Sequence, residues 1–225
     1  MAKRKRIKLD DRKIPPYTKG EEVFNMVTHI VGGGIGVAAT ALCVVFAAIH
    51  GNVYGVIGSA IFGAMMIILY TMSSLYHGLS PKLKAKKVFQ IFDHCSIFLL
   101  IAGTYTPIAL VSLREYNPFL GWGIFGFVWA VAILGVVLNS IDLEKYKIFS
   151  MISYLGLGWC IVLAGKVTFE ALGLVAFIFL LLGGVSYTIG ACFFAFKKKY
   201  MHSIFHIFVD IGSVLHVLCI LLFVV

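Results

Sequence analysis

The sequence predicts an all-α integral membrane protein, a seven-transmembrane-helix bundle with its N-terminus in the cytoplasm and its C-terminus outside. Three observations predict it. Of the 225 residues, 60% are hydrophobic and only 13% charged, and the mean hydropathy is +0.98. A soluble domain of this length has more surface than so few charges can cover. Apolar stretches of roughly 20 residues recur, each long enough to cross a hydrocarbon core of about 30 Å as a helix. Lysines and arginines gather in short runs between alternate stretches, the pattern of positive-inside topology.

Residues 1–22 read as a basic cytoplasmic tail and 23–225 as one membrane domain. The spans fall at about 23–49, 53–77, 89–113, 119–139, 148–165, 171–196 and 202–225. Their length makes them helices, because a membrane barrel needs an alternation of apolar and polar residues that is absent here. Turn residues separate them at Gly51-Asn52, Gly78 to Pro81, Asn117-Pro118 and Asp142. Short connections make successive helices antiparallel neighbours. Counted by alternate sides, seventeen Lys and Arg lie on the N-terminal side and two, Arg114 and Lys166, on the other. That split sets the orientation and agrees with seven crossings. Pro15-Pro16 marks the tail as extended, and Pro107 predicts a kink in the third helix that shapes an internal cavity.

The formal charge of +9 does not mean nucleic acid, since no basic-aromatic interleaving accompanies it. The five cysteines all lie in apolar stretches with no CxxC pair, so they read as small buried packing residues. Gly32 and Gly36 lie on one face of the first helix, where small residues let helices approach closely.

Ionisable residues inside a membrane are costly and usually functional. His77 ends the second span, Asp93 and His94 open the third, His202 and His206 open the seventh, and Glu22 and His29 open the first. The predicted topology puts all of them at the cytoplasmic level, a coincidence that apolar packing does not produce. His202 and His206 are spaced i, i+4, so both imidazoles share a helix face one turn apart. A third imidazole, His77, would complete a set of three and leave the fourth tetrahedral position of a zinc ion open to water. Ser203, Ile204 and Phe205 intervene, so the pair is not HExxH and carries no general base. Asp93 is the nearest carboxylate in the layer, and would either take a proton from that water or orient it. The alternative is that these are interfacial side chains snorkelling to water. His50 reads as interfacial, His94 as turned about 100° away from Asp93, and His216 as a packed mid-membrane histidine.

Together, Glu22-x2-Asn25-x2-Thr28-His29, Ser73-x3-His77, Asp93 and His202-x3-His206 resemble the motif set of the haemolysin III family. That family is the bacterial branch of the progestin and adipoQ receptors, more distantly related to alkaline ceramidases. The segments Phe92-Asp93-His94 and Ala102-Gly103-Thr104-Tyr105-Thr106-Pro107 fit it as well. The resemblance implies a bacterial plasma membrane protein with zinc near the cytoplasmic leaflet, held by His77, His202 and His206. It further implies Asp93 at the zinc-bound water and Ser73 nearby, with His29 and Glu22 as candidates for a supporting layer. Asp210 departs from the resemblance, where an apolar residue is expected. It lies one turn past His206, and either supports that ring or pairs with a polar group across the bundle.

Three functions follow from these readings. The first is a zinc-dependent hydrolase of a lipid amide or ester, serving membrane homeostasis and entered sideways by membrane lipids. The second is a sensor or receptor in which zinc is structural. The third is direct cytolysis, which no amphipathic pore-lining helix supports. Ionisable groups confined to one leaflet draw no transport path.

Overall fold

The structure, a computed structural model, describes residues 7–225; the run Lys3 to Arg6 of the basic tail lies outside the described residues. Among the described residues, five helices are long and apolar enough to cross a membrane. They are α1 (Lys19–Ile49), α2 (Val53–Gly78), α3 (Lys84–Tyr116), α4 (Pro118–Ala195) and α5 (Met201–Phe223). The expected seven-helix bundle is therefore corrected to five helical spans, and the agreement drawn from the charge split falls with it. The difference lies wholly in α4. The segments expected as separate helices at 119–139, 148–165 and 171–196 run on as one helical stretch of 78 residues. The expected loops are reduced to local breaks: an extended residue at Asp142, a 3-10 stretch at Cys160–Ala164, and Gly173 at φ 77°. A straight helix of that length would measure about 117 Å, several times the bilayer core, and α4 does double back on itself. The Ser150 hydroxyl donates to Asn139 Oδ1 at 2.6 Å, and Asn139 Nδ2 donates to the Tyr154 hydroxyl at 3.3 Å. On a straight helix residues 139 and 150 would be about 16 Å apart.

Each helix start has a chemical reason. Thr18 caps α1 through the Glu21 N–H, and the Glu21 carboxylate returns the bond to the Thr18 N–H at 2.9 Å, a capping box. Asn52 caps α2 by accepting from the Gly55 N–H at 2.8 Å. Asn117 caps α4 ahead of Pro118, whose fixed φ suits the first helical turn. In α3 the chain passes Pro107 into a π-helical turn, Ile108–Leu113, which takes up the proline without ending the helix. Tyr200 adopts a left-handed conformation just before α5, and its N–H donates to Glu21 at 2.8 Å. One glutamate thus caps α1 and ties it to the start of α5.

The helices pack as a ring. α1 lies between α2 and α5, α2 packs on α3, α3 on the first part of α4, and the last part of α4 on α5. The inward stripe of α1 is Glu21, Asn25, His29, Gly32, Gly36, Ala39, Cys43 and Ala47, a helical period of small and polar residues. Outward faces carry exposed Ile30, Val31, Val37, Ile133 and Ile152, as lipid contact requires. Phe62, Met66, Phe98, Val128 and Ala132 fill the core away from the ring's centre. The described part of the tail packs on the bundle: the Ile7 N–H donates to Asp142 Oδ2 at 3.1 Å, and Asp10 pairs with Lys84 at 2.8 Å.

Candidate metal centre

The last turns of α2 and the first turns of α5 bring three imidazoles together. His77 Nε2 lies 3.3 Å from His202 Nε2, which lies 3.1 Å from His206 Nε2. All three ligand atoms fall within 4.8 Å of one another. Tetrahedral bonds of about 2.0–2.1 Å put ligand nitrogens about 3.3–3.4 Å apart, so these three could hold a metal ion. Of the nitrogens turned away from the centre, those of His202 and His206 are buried without a hydrogen-bond partner, whereas that of His77 is held. His77 Nδ1 stands 2.6 Å from Glu22 Oε2. With that nitrogen donating to the carboxylate, Nε2 carries the lone pair and faces the centre, as a ligand must. Glu22 Oε1 in turn meets Lys86 Nζ at 2.8 Å.

Around the three rings the packing is aromatic. His29 stacks on His206 with ring centroids 3.7 Å apart and meets the Tyr70 ring edge-on. It contributes no nitrogen to the cluster. Tyr17, from the tail, stacks on His202 at 5.0 Å and covers it from the loop side. Burial pushes the Tyr17 phenol up, so it remains a neutral hydroxyl.

Asp93 stands outside the set of three, beside Ser73 and His94. His94 is not turned away as expected. Its Nδ1 donates to the Gln90 carbonyl at 2.9 Å, which swings the ring to within 3.4 Å of the Asp93 carboxylate. Asp210 does not reach His206. It lies beside Tyr70 where α1 comes close, and a Cβ on Gly32 would meet the Tyr70 ring at 2.5 Å and Asp210 Oδ1 at 2.7 Å. His216 sits deeper, with Nε2 3.2 Å from the Leu180 carbonyl.

His202, His206 and Asp93 line a cavity of about 1170 Å³. Its walls are mostly apolar, with Leu69, Leu100, Ile101, Leu155, Leu181 and Val209 among them, and Lys147 and Lys197 to Lys199 line it as well. It exceeds the roughly 300–1,000 Å³ of ordinary small-molecule pockets. Sequence reasoning missed Lys86 and Tyr17. A signal for Lys86 was present, because it precedes Asp93 by seven residues and so shares its helix face.

Comparison with known proteins shows the family. A family model described as "Haemolysin-III related" matches residues 17–217, which contain every residue of the centre. Hemolysin-3 of Bacillus cereus is 37% identical over 205 residues, covering 91% of this chain and 92% of that protein. The Hemolysin-3 homolog of Bacillus subtilis strain 168 is 35% identical, covering 93% and 97%. Human monocyte to macrophage differentiation factor, of the progestin and adipoQ receptor family, is 28% identical over 69% of this chain and 66% of its own length. With its apolar helices, the chain is a multi-pass protein of the bacterial plasma membrane, and it belongs to the haemolysin III family.

Proposed function

We propose that this protein is a zinc-dependent hydrolase of a lipid amide or ester, working at the cytoplasmic leaflet in membrane homeostasis, with membrane lipids as its substrates. The observation that carries the reading is the approach of three Nε2 atoms in steps of 3.1 and 3.3 Å, with His202 and His206 lining a largely apolar cavity of about 1170 Å³. The choice of zinc rests on three imidazoles with no thiolate and an open side, the donor set of catalytic zinc. The basic residues Lys147 and Lys197 to Lys199 along the cavity support a cytoplasmic position for the centre.

When bound, zinc would polarise a carbonyl and bring the pKa of a water down to about 7. The chain's own residues supply the rest. Glu22 fixes the tautomer of His77 so that its lone pair faces the centre. Asp93 takes the proton from the attacking water and later delivers it to the leaving amine or alkoxide. Ser73 and His94 flank Asp93. The apolar walls hold acyl chains and keep bulk water from the linkage.

The test uses full-length protein in lipid nanodiscs, wild type beside Asp93→Asn. Wild type is expected to carry about one zinc per chain and to release fatty acid from an amide- or ester-linked lipid. Asp93→Asn keeps its zinc and loses at least about 100-fold in turnover. Equal turnover in the two proteins, or zinc-free wild type, would reject the reading.

A second reading is a sensor in which zinc is structural, favoured by one observation: the three ligands come from α2 and α5, the second and the last spans, which a metal would pin together. Chelation would then unfold the protein rather than silence it. The name of the Bacillus cereus relative points to haemolysis. A change in lipid composition is enough to weaken a membrane without a pore.

A further inference from the structure

Lys86 is the most unusual charge in the molecule. It lies in the first turn of α3, and its side chain is 0% exposed. An ammonium taken out of water must have every proton bonded, and all three partners are visible. Nζ pairs with Glu22 Oε1 at 2.8 Å and donates to the carbonyls of Tyr76 at 2.9 Å and Leu79 at 3.0 Å. Those carbonyls belong to the end of α2, where helix geometry leaves carbonyls without amide partners and favours a cation. Tyr76 immediately precedes His77, and its ring centroid lies 4.9 Å from Nζ.

From this we infer that Lys86 is a positioning residue for the metal centre, acting through Glu22. The Glu22 carboxylate is shared, with Oε1 on Lys86 and Oε2 on His77 Nδ1 at 2.6 Å. Lys86 anchors that carboxylate to the end of the helix that carries His77. The ring, its carboxylate and the backbone beside it thus form one rigid frame. The frame fixes the direction of His77 Nε2, the one ligand contributed by α2. His202 and His206 fix each other through their shared helix face; His77 has no neighbour of that kind on α2 and takes its support from α1 and α3 instead. The inference rests on the metal centre proposed above and deepens it.

A purely structural role, capping α2, would lower stability and leave the centre unchanged in folded protein. The experiment therefore reads the centre itself. Full-length wild type, Lys86→Met, Glu22→Gln and the double variant are purified in nanodiscs. Zinc affinity is measured by chelator competition, and Co²⁺ is substituted to record its visible absorption. Both single variants are expected to lose about 10–100-fold in affinity and to shift the Co²⁺ bands. The double variant loses no more than either single one, because both act through one carboxylate. Wild-type affinity and spectrum in folded Lys86→Met, or losses that multiply in the double variant, overturn the inference while leaving the centre in place. Wild type that takes up neither metal removes the centre, and this role of Lys86 with it. If Lys86→Met does not fold, Glu22→Gln decides alone, since it leaves Lys86 on both α2 carbonyls. A wild-type spectrum in Glu22→Gln overturns the inference.

Discussion

Two polar clusters share α5 and differ in how their atoms are used. At its start, His202 and His206 turn Nε2 toward His77 Nε2, and three nitrogens converge within 3.3 Å steps. Further along, Asp210, Ser213 and His216 lie beside Tyr70 and Tyr187, but they do not converge on one point. His216 Nε2 goes to the Leu180 carbonyl at 3.2 Å, and the Tyr187 and Ser213 hydroxyls meet each other at 2.8 Å. Both clusters are buried and titratable, so burial does not tell a ligand site from a packed polar core. Convergence does. The first cluster turns three Nε2 atoms toward one another, with Glu22 behind His77; the second points its nitrogens and hydroxyls at separate neighbours.

The largest expected effect breaks the first cluster. Replacing His77, His202 and His206 together by alanine should abolish metal uptake, read by elemental analysis of purified protein. His216→Ala should leave metal content at the wild-type level. Full metal in the triple variant, or loss of it in His216→Ala, would invert the comparison. Next in size is an effect on packing alone. A Cβ on Gly183 would fall on the imidazole ring of His216. Gly183→Ala should therefore destabilise the fold by about 1–3 kcal/mol and leave metal affinity unchanged, measured by thermal unfolding and chelator competition on one preparation.

How much of this could be read in advance differs between the same regions. The membrane class was legible because composition reports it directly, and the family because its motifs are spread over four helices. The count of spans was not. Asp142 looks like a loop residue in sequence and Gly173 falls inside an expected span, yet the backbone departs from a helix at both and at Cys160–Ala164 and is helical either side. A hydropathy reading has no access to that difference. In the centre, i, i+4 spacing exposes His202 and His206, since a helix converts that spacing into a shared face. Lys86 was hidden among lysines that look topogenic, because only the tertiary fold distinguishes a lysine inside the bundle from one on its rim. His94 was misplaced for another reason. Helix geometry fixes the direction of Cβ, but a bond to the Gln90 carbonyl decides where the ring goes.

The smallest expected effect tests whether the two clusters are separate at all. They approach each other through His29, which stacks on His206 at 3.7 Å and meets the Tyr70 ring edge-on at 5.1 Å. Tyr70 in turn lies beside Asp210. If that chain of contacts carried orientation from one cluster to the other, Asp210 would act on the centre despite standing away from it. The geometry argues against this. A stacked ring restrains its neighbour against tilting but gives no directional bond to a nitrogen, whereas Glu22 grips His77 through one atom at 2.6 Å. Asp210→Asn keeps the shape of the side chain and removes its ability to carry charge. It should leave the Co²⁺ spectrum and the zinc affinity of the centre within about twofold of wild type, where Glu22→Gln loses about 10–100-fold. A spectral shift in Asp210→Asn as large as that in Glu22→Gln would join the clusters into one site, with His29 as the link between them.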